Sequence, residues 1–321
     1  MTTKLNLFLT LALGAQVALA AALFISGGQN AAPRTRGALL PMALDNIASV
    51  TVRDGKDNTV TLERENGQWR VPARQGFPAD RQRLNDLLQG LHQARPEMPV
   101  ATSDAARNRF DVARDDFARH LTLRTDNGTE VAFYLGKAAG AGRVYLRRAG
   151  EDAIQDVQVP LWKASAKTSD WLDPGYLRPK LAGVTHIRLP NVALKRQEDR
   201  WRAAELPEGR TTDQARVQNL LNHFRTLSWQ TLLPKEAESD EPAFQVRLEG
   251  GGEPLIYRFY RHREGGGTQW RVKRSDGDYL LEVKDAEVKA FRDASVNSLS
   301  RESPPANTSA SQKDGHGAVS D

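Results

Sequence analysis

The sequence contains no cysteine among its 321 residues. Disulfide bonds, zinc sites built on cysteine, thiol catalysis and a lipid-modified N-terminal cysteine are therefore all excluded. The absence is compatible with either side of a bacterial inner membrane. Concentrated positive charge is also missing, because the net charge of +5 is spread thinly and no run of five basic residues occurs. We therefore expect no nucleic-acid partner.

Local motifs of catalysis and cofactor binding are missing as well. The six histidines show none of the HxxxH, HxH or HExxH spacings that bring two ligands onto one metal ion. The segment 136–142 (GKAAGAG) lacks the residue order of a phosphate-binding loop, and no GxSxG motif supplies a nucleophile elbow. We expect no catalytic residue, no cofactor, no metal site and no enzymatic activity.

One long apolar run is present near the N-terminus, over residues 5–25. At about 1.5 Å per residue it makes about 31 Å of helix, which matches a hydrocarbon core of about 30 Å. The segment predicts a transmembrane anchor, followed by a flexible linker over residues 26–44. A signal peptide cleaved after Ala20 is the alternative, although apolar residues continue past that site. We expect an inner-membrane protein with a single span and the bulk of the chain facing the periplasm.

The part that follows the linker contains an internal sequence repeat. Trp69-Arg70 ends a three-strand pattern over residues 47–71, and Trp201-Arg202 ends the same pattern over residues 184–203. Asn-Gly between alternating segments, as at residues 66–67, is a strong hairpin signal. Segments 120–135 and 143–157 find counterparts in 244–260 and 269–283. The sequence therefore predicts a tandem repeat.

A helix follows the three strands in both copies. Segments 79–91 and 212–224 align without a gap, and their apolar residues recur at i, i+3, i+4 and i+7. Asp80 and Asp213 stand where a helix N-cap favours a carboxylate. Their predicted role is structural.

These patterns predict an α+β fold with two tandem repeats behind the N-terminal transmembrane helix. Each repeat is a mostly antiparallel sheet with one principal helix on one face. We expect the other face to be polar and exposed at positions 124, 147, 148, 247 and 273–274. The predicted bounds are 45–160 and 184–295 for the repeats, 161–183 for a linker with a short helix over 161–171, and 300–321 for a disordered tail.

Several short motifs resemble the bacterial family catalogued as domain of unknown function 4340. They are Gly67-Gln68-Trp69, the helix from Asp80 to Leu91, the loop 109–117 (RFDVARDDF), the strand 131–137 (VAFYLGK) and the passage 170–189. The resemblance covers roughly residues 45–295. It implies a membrane-anchored extracytoplasmic protein that accompanies ABC-type transport components.

The expected function is therefore that of an accessory or interaction module of an ABC-type export or envelope system. Its expected partners are the inner membrane and a membrane protein of the ABC-transporter type. Trp162 and Trp171, which lie in the linker, are the candidate partner contacts. The alternative is an extracytoplasmic enzyme that acts on an envelope glycan or peptide, which a deep pocket with converging carboxylates or histidines would favour.

Overall fold

The computed structural model describes residues 38–95, 98–159, 161–235, 241–250, 252–264 and 267–303, together with Gln16. The chain divides into two compact units, with the division between Asp173 and Pro174. Apart from Gln16, the predicted anchor lies outside the described residues, as do residues 26–37 and 304–321. None of the helices that the structure describes is long and apolar enough to cross a membrane.

The first unit is built on one eight-stranded antiparallel sheet. Its strand order is β4-β3-β2-β1-β5-β6-β7-β8, so the three-strand meander at one end joins the later hairpins through pairing of β1 with β5. The strands are β1 (Ile47–Asp54), β2 (Thr59–Glu65), β3 (Gln68–Val71), β4 (Phe77–Pro78), β5 (Arg119–Thr125), β6 (Glu130–Gly140), β7 (Arg143–Arg148) and β8 (Ile154–Val157).

The first unit also contains helix α1 (Arg81–Gln93), close to the predicted 79–91. Its apolar stripe is fully or almost fully buried and consists of Leu84, Leu87, Leu88 and Leu91. Burying each leucine contributes about 1.5–3 kcal/mol, which is more than helix propensity alone supplies. The predicted cap is confirmed, because the Asp80 carboxylate accepts a hydrogen bond of 3.0 Å from the Arg83 amide.

The second face of this sheet is covered where we expected it to be exposed. Helix α2 (Asp104–Arg109) and the loop that follows it place Phe110, Val112 and Phe117 in a small core with Tyr134. Of the basic positions, Arg124 is exposed, but Arg147 is buried beneath this segment. The prediction of a solvated face was therefore wrong at Arg147.

The second unit has a sheet of the same kind, with the order β11-β10-β9-β14-β15-β16-β17-β13. Strands β12 and β18 form a separate antiparallel pair. The strands are β9 (His186–Leu189), β10 (Val192–Gln197), β11 (Arg200–Ala203), β12 (Arg210–Thr212), β13 (Thr231–Leu233), β14 (Phe244–Glu249), β15 (Leu255–Glu264), β16 (Gly267–Arg274), β17 (Leu280–Val283) and β18 (Ser300–Glu302).

The described part of the second unit contains two α-helices, α3 (Gln214–Thr226) and α4 (Asp285–Arg292). The α3 helix was predicted, and its Asp213 cap accepts hydrogen bonds from two backbone amides. The α4 helix was not predicted. Its Phe291 ring lies 4.5 Å from that of Phe224 and 5.9 Å from that of Phe259, so it completes the core of this unit.

The fold class is α+β with mostly antiparallel sheets, as predicted. Four local expectations need correction. Leu39 and Leu40 of the predicted flexible linker are buried, and the first three residues of the predicted disordered tail form β18. The predicted helix over 161–171 is instead two short 3₁₀ turns, Leu161–Lys163 and Thr168–Trp171. Arg247 is exposed as expected, whereas residues 148, 273 and 274 are half-buried.

Candidate functional site

The two candidate tryptophans lie in opposite surroundings. Trp162, in the first 3₁₀ turn, is 65% exposed, and Trp171, in the second, is completely buried. The Trp171 indole N–H donates to the Ser165 carbonyl at 2.7 Å, and the Trp171 carbonyl accepts from the Asp80 amide at 2.8 Å. Trp171 is thus a core residue that holds the start of α1, and its indole has no exposed surface for the direct partner contact that the sequence predicted.

Arg83 links the two tryptophans. Its guanidinium carbon lies 5.3 Å from the Trp171 ring and 5.9 Å from the Trp162 ring. One guanidinium nitrogen also donates to the Trp162 carbonyl at 2.8 Å, which fixes the backbone of the turn against α1. The Nε atom of Arg83 is buried without a hydrogen-bond partner among the described residues.

A second cation fixes the same turn to α1. The Lys163 ammonium lies 3.1 Å from an Asp86 carboxylate oxygen and 5.5 Å from the Trp162 ring. Because Arg83 and Asp86 are three residues apart on α1, both reach the turn from one face of the helix. The turn that carries the exposed indole is therefore fixed to α1, and the cations of Arg83 and Lys163 lie near its ring.

The space beside the indole is a shallow cleft of about 200 Å³. We call it the Trp162 cleft. It is lined by Asp80, Gln82, Arg83, Asp86, Trp162 and Lys163. A solvent-facing tryptophan on a fixed turn offers a large apolar surface, and such residues dominate the binding energy of many protein interfaces. The chemistry of this arrangement is that of binding.

Sequence reasoning found Trp162 but missed the residues that hold it. Arg83, Asp86 and Lys163 are ordinary charged residues on a helix face and in a loop. The spacing of Arg83 and Asp86 on α1 was a usable signal for a shared face. Arg83 and Asp86 lie about 80 positions before Trp162 in the sequence, so no local pattern could show that they are close to it.

A serine, a histidine and a glutamate lie close together in the second unit, as in a hydrolytic triad, but in a different arrangement. The Ser228 hydroxyl lies 2.6 Å from Glu287 Oε1, and His223 Nε2 lies 2.7 Å from the Glu287 backbone carbonyl. A nucleophilic serine needs the imidazole on its own hydroxyl, with the carboxylate behind the imidazole. Here the hydroxyl contacts the carboxylate instead. No group of three or more metal-ligating side chains suited to an ion occurs in the described part of the chain.

A model of the family described as Domain of unknown function (DUF4340) matches residues 69–246. The match runs from β3 to β14 and includes α1, the 104–117 segment, the Trp162 cleft and α3. Searches of the curated proteins and of the solved structures found no match. Because the matched span is more than half of the 321 residues, the chain belongs to the family catalogued as domain of unknown function 4340.

Proposed function

We propose that this protein is a membrane-anchored extracytoplasmic accessory module that binds a membrane-protein partner of the ABC-transporter type through the Trp162 cleft. The observation that carries the proposal is the exposed indole of Trp162, which stands on a turn that is fixed to α1 by a hydrogen bond and an ion pair. A rigid aromatic side chain on a folded surface loses little conformational entropy when a partner covers it.

The membrane part of the proposal is supported by the apolar run of residues 5–25. A chain with one N-terminal span would hold its folded units close to the bilayer, where a membrane-protein partner presents its loops. The bulk of the chain would then face the periplasm. The family resemblance to proteins that accompany ABC-type transport components supports the class of partner.

We also propose that the two units are copies of one ancestral unit. The support is that seven strands follow one order in each sheet, β3-β2-β1-β5-β6-β7-β8 in the first and β11-β10-β9-β14-β15-β16-β17 in the second. In each unit the helix with the aspartate cap follows the third strand of the meander. Duplication of one unit accounts for both correspondences.

Purification of the tagged full-length chain from membranes in mild detergent tests the binding proposal. We expect permease or ATPase subunits to co-purify with the wild type, and Trp162→Ala to reduce their recovery by tenfold or more. Loss of an interface hot spot costs about 2 kcal/mol or more, which is about 30-fold in affinity. Met98→Ala is the matched control, because Met98 is an apolar side chain that is 87% exposed and does not line the cleft.

Two results would contradict the proposal. One is recovery of the wild-type chain alone. The other is equal recovery of the partner with Trp162→Ala and with Met98→Ala, which would show that binding does not involve the cleft. Expression and thermal stability of both variants are measured in parallel, since neither substitution removes a buried side chain.

A further inference from the structure

A second cleft of the first unit contains a buried guanidinium that has no counter-ion among the residues that the structure describes. Arg147, on β7, is only 6% exposed. Its Nε donates to the Val112 carbonyl at 2.8 Å and its Nη1 to the Glu151 carbonyl at 3.0 Å. The guanidinium carbon lies 4.6 Å from the centre of the Tyr134 ring. It makes no ion pair with a carboxylate of the described residues.

This arrangement leaves part of the guanidinium available to a ligand in the cleft. A charged group taken out of water needs a partner of opposite charge or a full set of hydrogen bonds. Arginine has five N–H donors, and the two backbone carbonyls engage only part of them. Burial, and then the charge of Arg107, lowers the pKa of Arg147 from its ordinary value. The surroundings thus disfavour the charge that the side chain carries.

The guanidinium faces an open space of about 360 Å³ between α2, the loop after it and the second face of the sheet. We call it the Arg147 cleft. Arg107, Asn108, Arg114, Asp115, Tyr134 and Arg147 are among its lining residues. This volume lies in the range of small-molecule sites. The Nε atom of Arg107, buried and without a hydrogen-bond partner among the described residues, is a further unmatched donor in the lining.

The charges around the cleft select the ligand. Arg107 is neutralised by Asp104 at 2.7 Å and by Asp152 at 2.5 Å. Arg147 and Arg114 remain as cations without ion pairs among the described residues, and Asp115 is an acid at the same cleft. Asp115 would repel a multiply charged anion. A single negative charge with planar geometry fits, because the guanidinium fork binds a carboxylate through two parallel hydrogen bonds.

We propose that the Arg147 cleft is a binding site for a small ligand that carries one carboxylate, held by Arg147 with Arg114 as a second cation. The site lies apart from the residues of the Trp162 cleft, and it does not depend on the function proposed for that cleft. Arg147 would recognise the anionic group of the ligand, and the Tyr134 ring packs against the guanidinium.

Isothermal titration of the full-length chain in detergent tests the proposal. The probe is N-acetylglycine, and its neutral analogue N-acetylglycinamide and inorganic phosphate are the comparison ligands. We expect saturable binding of N-acetylglycine, with binding of the amide and of phosphate at least tenfold weaker. Failure of N-acetylglycine to bind, equal binding of the amide, or tighter binding of phosphate overturns the proposal.

Variants locate the site. Arg147→Gln should weaken N-acetylglycine binding at least tenfold, and Arg114→Ala should weaken it severalfold. Arg74→Ala is the control, because Arg74 is exposed in the same unit and does not line the cleft. Circular dichroism checks whether Arg147→Gln folds. If it does not fold, binding by Arg114→Ala tests the proposal, since Arg114 is exposed and its replacement should leave the fold intact. Unchanged binding by Arg114→Ala together with a folded, fully binding Arg147→Gln overturns the proposal.

Discussion

Replacing Gly136 by alanine should destabilise the first unit by displacing the segment that covers the second face of its sheet. A Cβ atom at Gly136 would lie 1.9 Å from the Phe110 carbonyl oxygen and 2.8 Å from that of Asp111. Both are backbone atoms, so no change of rotamer relieves the contact. Since carbon and oxygen atoms approach to about 3.3 Å, the loop must withdraw by more than about 1 Å.

The magnitude follows from what the withdrawal breaks. The Lys137 amide donates to the Phe110 carbonyl at 3.0 Å, and loss of such a bond costs about 1 kcal/mol. Forcing a side chain into a packed core costs about 1–3 kcal/mol more, and Val112 Cγ1 would also lie 2.8 Å from the new methyl group. We expect Gly136→Ala to lower the free energy of unfolding by about 2–4 kcal/mol.

Gly90→Ala is the matched control. Gly90 lies inside α1, and a Cβ atom there would lie 3.8 Å from Val159 Cγ2, an ordinary contact. This substitution should stabilise the helix by about 0.5–1 kcal/mol. Urea denaturation followed by circular dichroism measures both variants, and hydrogen exchange of the peptide 104–117 reports on the loop. Equal midpoints for the two variants, with unchanged exchange of that peptide, would refute the reasoning.

Four further predictions concern pH, helix capping, the core and the membrane. Burial, and then the charge of Arg53, lowers the pKa of His120, so near neutral pH the folded state binds fewer protons than the unfolded chain. The free energy of unfolding should therefore fall as the pH drops below about 6.5. His120→Gln should flatten this pH dependence in urea titrations. Asp213→Ala should cost about 1 kcal/mol in urea denaturation, and Asp213→Asn much less. Trp171→Ala should cost about 3–5 kcal/mol, measured the same way. Protease added to spheroplasts should digest the chain beyond about residue 30, and the membrane-extracted protein should still begin at Met1 or Thr2. A soluble form that starts at Ala21 would contradict an uncleaved anchor, and protection from the protease would contradict a periplasmic location.

The two main helices were predictable because their signals are local. Apolar residues at i, i+3, i+4 and i+7 place one stripe on one face, and the aspartate before each stripe caps the helix, as at Asp80 and Asp213. The short α4 helix spans only eight residues and gave too few periods to recognise, although its Val288 and Phe291 are buried.

The cover of the second sheet face was not predictable from local pattern. The loop that follows α2 is held by long-range contacts, such as the bond from the Lys137 amide to the Phe110 carbonyl. The VAFYLGK motif requires glycine at position 136 because the loop passes directly over it. Burial of Arg147 follows from the same cover, so its unusual environment could be recognised only in three dimensions.

The sequence predicted the two tryptophans of the candidate site but not which of them is exposed. Trp162 and Trp171 lie in a segment without apolar periodicity, so the sequence offered no means to tell which indole faces solvent. The difference arises from tertiary contacts, since the Trp171 carbonyl accepts from the Asp80 amide while the Trp162 carbonyl accepts from the Arg83 guanidinium. Arg83, which contacts both rings, carried no signal of its role.

Site-specific photo-cross-linking at position 162 tests the central claim most directly. A photoreactive phenylalanine analogue replaces Trp162 in the full-length chain, and irradiated cells are examined for covalent adducts of the tagged protein. The same analogue at Met98, which is also exposed, is the control. We predict an adduct with a membrane protein of the ABC-transporter type from position 162 and none from position 98. The absence of any adduct at position 162, or the same adducts at both positions, would contradict a partner-binding role for the Trp162 cleft.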